Sequence, residues 1–204
     1  MMMEQELPLL VVATRNAHKT GEIRAMLAGE WEVKDLSDYP QAPPVDETGV
    51  TFTENATLKA LSASRCIPGV LLADDSGLEV DYLNKEPGIY SARYMGEDTS
   101  YRIKNQNIID RLEGVPDEKR TARFVCAIAA VFPDGRELVT RGTIEGIIGY
   151  EERGENGFGY DPIFFLPERG CSTAELPPEE KNSVSHRGNA LRSIKTLLEK
   201  EHLL

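Results

Sequence analysis

The chain has 204 residues, enough for one domain or two closely joined lobes around a substantial core, and its composition is that of a soluble globular protein. Its 34 acidic and 23 basic residues leave a formal net charge of -11, which argues against a nucleic-acid polymer or a membrane surface as partner, since both require a basic face. A small anionic substrate stays compatible if a divalent metal ion bridges it to an acidic site and a few local Lys and Arg offset the field. Cys66, Cys126 and Cys171 are widely spaced and form no C-x-x-C, so they read as reduced thiols of a cytoplasmic protein. Met1 to Glu6 is polar and acidic, unlike a signal peptide, and no apolar run approaches the roughly 18 residues of a membrane span.

Leu9 to Ala13 is wholly apolar and suits a buried central strand. Thr14, Arg15, Asn16, Ala17, His18 and Lys19 follow, and a helix is expected from about Lys19, with Ile23, Met26 and Leu27 on one buried face and Gly29 closing it. A strand that feeds a polar loop opening a helix collects unpaired backbone N–H groups at the positive helix end, where phosphate binds well, and Lys19 adds a cation. The competing reading is that Thr14 and Asn16 simply cap the helix. Pro40 to Val45 is a loop, and Asp46-Glu47 is a pair of adjacent carboxylates beside Gly49. Thr51 and Glu54 match a capping box for a helix continuing to Ala63, with Leu58 and Leu61 on its buried side. Asn55 and Lys59, four apart, share another face that could look into a site, although a solvated helix face is the commoner explanation.

The stretch from Ala73 to Tyr94 organises the rest. Val70 to Ala73 reads as a buried strand ending in Asp74-Asp75, two carboxylates that alternation sends to opposite faces. Ser76-Gly77 reads as a break before a half-buried strand through Leu78, Val80 and Tyr82. The pair suits either a divalent cation and general base or an ordinary turn capping a strand. Thr99 to Leu112 is a helix with Ile103, Ile108, Ile109 and Leu112 as core candidates, and Phe124 to Phe132 is a buried strand. Pro133 to Arg136 turns it into a hairpin with Glu137 to Thr140, and Thr143 to Ile148 reads as a further strand. Strands arising both from hairpins and after helices indicate an α/β fold with a mixed sheet flanked by helices. Asn156 to Phe165 sets Phe158 and Tyr160 among glycines beside Asp161, which suits either core packing or a loop that stacks on a nucleobase. Lys181, His186 and Arg187 gather near the start of a last helix, from about Asn189 to Lys200, with Leu191, Ile194, Leu197 and Leu198 inward. In an acidic protein such a cluster asks for an anion. Two carboxylate pairs, a helix-start loop with a lysine, an aromatic glycine loop and this basic cluster are the parts of a nucleoside triphosphate site.

The blocks VVATRNAHK, VDETGVTFTENATLKA, LLADDSGLEVDYLNKEPGIYSARY, NGFGYDPIFF and EEKNSVSHRGNAL, in this order over nearly the whole chain, resemble the non-canonical purine nucleoside triphosphate pyrophosphatases, the inosine/xanthosine triphosphatase family. The resemblance implies a single domain over residues 1–204: an elongated mixed sheet flanked by helices, in two lobes with the active site in the cleft between them. It further implies a homodimer and Mg²⁺-dependent hydrolysis of ITP, dITP and XTP to the monophosphate and pyrophosphate. On matching positions, Thr14 to Lys19 would line the phosphates, and Asp75 would be general base and metal ligand. One of Asp46 and Glu47 would supply the other metal contact, and Ser76 would touch substrate. Phe158, Gly159, Tyr160, Asp161, Lys181, His186 and Arg187 would hold the base and nucleotide. Arg15 is a departure, because the family loop usually has Gly there. Two rival readings are a pyrophosphatase for modified pyrimidine nucleotides and a nucleotide sensor without chemistry. The His186-Arg187 block weighs against the first and the complete carboxylate set against the second.

Overall fold

The computed structural model describes residues 7–200. Seven strands form one sheet in the order β2-β1-β3-β4-β5-β6-β7: β1 Leu9–Val12, β2 Glu32–Asp35, β3 Val70–Val80, β4 Thr121–Val131, β5 Glu137–Ile148, β6 Phe164–Leu166 and β7 Cys171–Ser172. β1 runs parallel to β2 and β3, whereas β6 runs antiparallel to β5 and β7, so the sheet is mixed as expected. The helices are α1 Ala17–Met26, α2 Phe52–Ser64, α3 Tyr101–Arg111, α4 Pro178–Val184 and α5 His186–Lys200. No described helix is long and apolar enough to cross a membrane. The three cysteines are free thiols.

The chain divides into two compact units. One comprises the chain up to Asp75, Ala127–Arg141 and the chain from Ala190, and the other comprises Ser76–Cys126 and Gly142–Asn189. In the first, Leu10, Val11 and Val12 of β1 and Leu71 and Leu72 of β3 are fully buried, the continuous apolar run that a parallel strand covered on both faces requires. In the second, Leu78, Val80, Ile108, Leu112, Ala122, Phe124, Ile163 and Phe164 form one cluster.

Several elements depart from their sequence signals. β3 does not break at Ser76-Gly77; it continues to Val80, while Tyr82 lies beyond the strand in a 3-10 turn and is exposed. Ser91 holds the supposed break, its Oγ accepting the Leu78 N–H at 2.9 Å. β5 is likewise one strand from Glu137 to Ile148 rather than two. It passes close to β6 because Gly146 has no side chain: a Cβ there would lie 2.6 Å from the Phe165 carbonyl oxygen. β2 carries no apolar pattern and was not anticipated. The inner face of α2 is Phe52, Ala56, Ala60 and Ala63; Leu58 is exposed and Leu61 half-buried, because the small residues let the helix approach its neighbours closely. Ile103 is also exposed, while Ile108, Ile109 and Leu112 are buried as expected. α5 starts at His186, earlier than expected, and buries Leu191, Ile194 and Leu198.

A charge cluster in the second unit ties the turn after β3 to β4 and β5. Asp81 accepts from Lys85, from Thr121 Oγ1 at 2.6 Å and from Arg123 at 3.1 Å, and Arg123 Nε also reaches Glu145 at 2.9 Å. Burial alone would raise the Asp81 carboxyl, but the hydrogen bonds from Lys85, Thr121 and Arg123 outweigh it and hold the group well below the usual carboxylate range. A carboxyl depressed in the folded state stabilises at neutral pH, and that contribution is lost as pH falls from the unfolded value toward the folded one. Asp81→Asn is therefore expected to cost on the order of 1 kcal/mol near neutral pH. The gap should shrink as pH drops through about 3.9, as read by urea unfolding at a series of pH values. A gap that persists into acid would locate the cost in packing instead.

Candidate active site

The first group of site residues lies in the first unit, where β1 passes into α1. Asn16 is the N-cap of α1: its Oδ1 accepts the N–H of His18 at 3.0 Å and of Lys19 at 3.3 Å, and its own N–H donates to Thr14 Oγ1 at 3.1 Å. Capping and a phosphate cradle are therefore compatible here, since the same turn that satisfies these donors aims the helix N-terminus outward. Arg15, Ala17 and His18 are exposed. Lys19 turns back to the sheet, its Nζ 3.0 Å from Asp74 Oδ1 in the buried middle of β3.

Asp75, next along β3, takes a different lysine, in keeping with strand alternation. Lys59 Nζ lies 3.1 Å from Asp75 Oδ1 and 3.1 Å from Glu47 Oε1. Lys59 and Asn55 thus face the site rather than solvent. Asn55 is fully buried, its Oδ1 accepting the Gly49 N–H at 2.8 Å beside the acidic pair. Thr51 caps α2 through the Glu54 N–H, and Glu54 reaches past it to the Val50 N–H rather than to Thr51 itself. These contacts fix the loop that carries Glu47. Asp46 is exposed, so of the acidic pair it is Glu47 that the fold turns toward Asp75.

At Asp75, burial is the largest influence and raises the carboxyl above its ordinary value despite Lys59 and Lys19. At Lys59 burial works to lower the ammonium, but Asp75, Asp74 and Glu47 outweigh it and keep the group protonated. Asp75 Oδ2 is buried and accepts no hydrogen bond among the described residues. An ionised oxygen in that position is costly without a cation or a proton donor. Glu47 and Asp75 therefore fit a hard divalent cation by donor type. Among the described residues no three His, Cys, Asp or Glu side chains gather as a metal site. Two carboxylates nonetheless suit Mg²⁺, which commonly takes one or two protein carboxylates and completes its shell with substrate phosphates and water.

The second group lies in the second unit. Asp161, almost fully buried, is its hub: Oδ2 accepts from Lys181 Nζ at 2.7 Å and from the Phe158 N–H at 2.8 Å, and Oδ1 accepts from Thr173 Oγ1 at 2.9 Å. Gly157 adopts a positive φ against this hub, and a Cβ there would sit 2.2 Å from Asp161 Oδ2. The loop thereby presents Phe158, half-buried, with Lys181 Nζ 5.2 Å and the Arg187 guanidinium 5.7 Å from its ring centroid. Arg187 also donates to Ser76 Oγ at 2.9 Å.

Tyr160 and His186, both expected at the nucleotide, each have a packing partner in the second unit. Tyr160 is 4% exposed, its hydroxyl donating to the Ser91 carbonyl at 2.7 Å and its ring set edge-on to Tyr101, so it is a core tyrosine rather than a stacking face. His186 stacks on Phe124 with centroids 4.9 Å apart. Gly159, at positive φ, accepts from Asn105 Nδ2 at 3.2 Å, which anchors the loop to α3. Sequence reading missed Thr173 and Asn105, which carry no local signal, and set aside Lys59, whose partners lie 12 and 16 residues away.

The Ham1 family model matches residues 10–197. The chain belongs to the Ham1 family. A Geobacillus kaustophilus protein named dITP/XTP pyrophosphatase is 52% identical over 91% of this chain and 91% of its own length, and an Exiguobacterium sibiricum protein of the same name is 49% identical over 93% and 96%. The structure of the Staphylococcus aureus Ham1 protein superposes with a TM-score of 0.84 at 40% identity, covering 95% of this chain and 99% of that one. The family membership bears out the resemblance carried by the five sequence blocks, and the superposition bears out the mixed α/β sheet.

Proposed function

We propose that this protein hydrolyses non-canonical purine nucleoside triphosphates, ITP, dITP and XTP, to the monophosphate and pyrophosphate, with Mg²⁺ as cofactor. The observation that carries the proposal is the Asp75 carboxylate: buried, raised in pKa, one oxygen on Lys59 and the other without a donor among the described residues. Relatives about half identical over nearly the whole chain and named dITP/XTP pyrophosphatase support the substrate class.

Glu47 and Asp75 would hold the metal ion, which when bound neutralises phosphate charge. The α1 N-terminus and Lys19 receive the phosphates, where positive charge stabilises the charge that develops on the phosphoryl oxygens. Asp75 accepts a proton from water as its oxygen bonds to the α-phosphorus. The bond from that phosphorus to the bridging oxygen breaks, and pyrophosphate leaves with the electron pair. A carboxyl raised above its ordinary value is a stronger base and better matched to this task. Lys59 orients Asp75 and Glu47.

The purine contacts fall to Phe158, Lys181 and Arg187. Hypoxanthine and xanthine carry an oxygen at position 6 where adenine carries an amino group. A guanidinium donor there pairs with the first two and faces a second donor in adenine, at about 1–3 kcal/mol per unpaired buried group. A homodimer acting in the cytoplasm on free nucleotides completes the reading. Pyrophosphate release with Mg²⁺, measured in parallel from ITP, XTP, ATP, GTP and dTTP with EDTA controls, tests it. Release from ITP and XTP should exceed the others at least about tenfold. Binding of ITP with no release from any nucleotide would leave a sensor.

A further inference from the structure

Arg15 stands in the phosphate loop where a glycine would be expected from the resemblance, yet the backbone has no need of one. The positive-φ residues other than glycine are Asn84, Lys85 and Met95 among those described, so Arg15 sits in an ordinary conformation. Its side chain makes a bond no glycine can: the guanidinium donates to the Ala42 carbonyl at 2.7 Å. The segment that ends at Ala42 also begins at this loop, since the Leu36 N–H donates to the Thr14 carbonyl at 3.1 Å. Between these anchors the chain folds on itself in successive turns, Asp38 N–H to Asp35 O, Tyr39 N–H to Leu36 O and Ala42 N–H to Tyr39 O. The segment is thus pinned at both ends to consecutive residues, Thr14 by its backbone and Arg15 by its side chain. Pro43 and Pro44 then fix two successive φ angles, and only Val45 separates them from Asp46 and Glu47.

We infer that Arg15 is a positioning residue that ties the phosphate loop to the carboxylate loop and so sets Glu47 relative to Lys19. The inference rests on the pyrophosphatase reading for its kinetic arm. It predicts that loss of the tether loosens the carboxylate loop while leaving Asp75, Lys59 and Lys19 in place, so that binding suffers and chemistry at saturation does not.

The test compares wild type, Arg15→Ala and Arg15→Lys by backbone hydrogen exchange and by kinetics on ITP over a Mg²⁺ titration. In Arg15→Ala the amides of residues 38–48 should exchange faster. The KM for ITP and the Mg²⁺ concentration for half-maximal rate should each rise about threefold to tenfold, with kcat at saturation within about twofold, as expected for one lost charge-assisted hydrogen bond. Arg15→Lys, which keeps a donor on a flexible stem, should recover part of both effects. Exchange unchanged in Arg15→Ala would overturn the tether whatever the kinetics. Faster exchange with KM and Mg²⁺ dependence unchanged would overturn the link to Glu47. Wild type inactive on every triphosphate would overturn the pyrophosphatase reading alone, because the exchange arm does not depend on turnover.

Discussion

Replacing Asp75 with Asn is expected to cut pyrophosphate release from ITP by about 10²–10⁴-fold, the usual worth of a positioned general base, and to leave the protein folded. Asn keeps the shape and an acceptor for Lys59, which also retains Glu47 at 3.1 Å, so no buried ammonium is left alone. What is removed is the negative charge. Because burial is the largest influence on Asp75 and raises its carboxyl, the folded state binds that proton more tightly than the unfolded chain does. Stability from this residue is therefore present at low pH and falls as pH rises through the raised value, so near neutral pH the ionised form works against folding. An amide carries no such cost, and the urea midpoint of Asp75→Asn should equal or exceed that of wild type. The two readouts move in opposite directions, which distinguishes a catalytic role from a structural one. Activity within tenfold of wild type would assign the base elsewhere, and a lower midpoint would make Asp75 a structural anchor.

How far the sequence disclosed this site depended on whether the determining contacts were local. The N-cap of α1 was legible because Thr14, Asn16 and Lys19 satisfy one another within a single turn. Asp74-Asp75 at the end of an apolar run was legible for the same reason, since alternation along a strand needs no neighbour to be known. The unbroken course of β3 was not. Ser76-Gly77 is turn chemistry in isolation, and it stays extended because β4 neighbours the strand and the Ser91 hydroxyl accepts the Leu78 N–H. α2 misled in another way: large apolar residues drew the buried face toward Leu58 and Leu61, but a face of Ala56, Ala60 and Ala63 allows closer contact. Lys59 turns inward because carboxylates from a preceding loop and a later strand converge on it, which periodicity within the helix cannot report. Tyr160 and Phe158 carried one signal, an aromatic among glycines, and the long-range contacts of Tyr160 with the Ser91 carbonyl and the Tyr101 ring separate the core ring from the displayed one.

Removal of Asp161 is expected to have the largest effect on stability. Asp161 is 3% exposed and Lys181 4%, and the two charges meet at 2.7 Å. Asp161→Ala removes the carboxylate that faces the buried Lys181 ammonium and that accepts from the Phe158 N–H, which should cost about 3–5 kcal/mol in urea unfolding. The double variant Asp161→Ala/Lys181→Met removes both charges and fills the space with an apolar chain of similar length, so most of that loss should return. Activity should not return with it. Phe158 is displayed because Asp161 accepts its N–H, and Lys181 approaches the ring at 5.2 Å, so the double variant lacks both the fixed ring and the cation beside it. The KM for ITP should stay raised about tenfold or more, with ATP affected less, which narrows the preference for a 6-oxo purine. A single variant within about 1 kcal/mol of wild type would show that the pair contributes little to folding. A double variant with wild-type KM would remove the 157–161 loop from purine recognition and leave Asp161 a purely structural clamp.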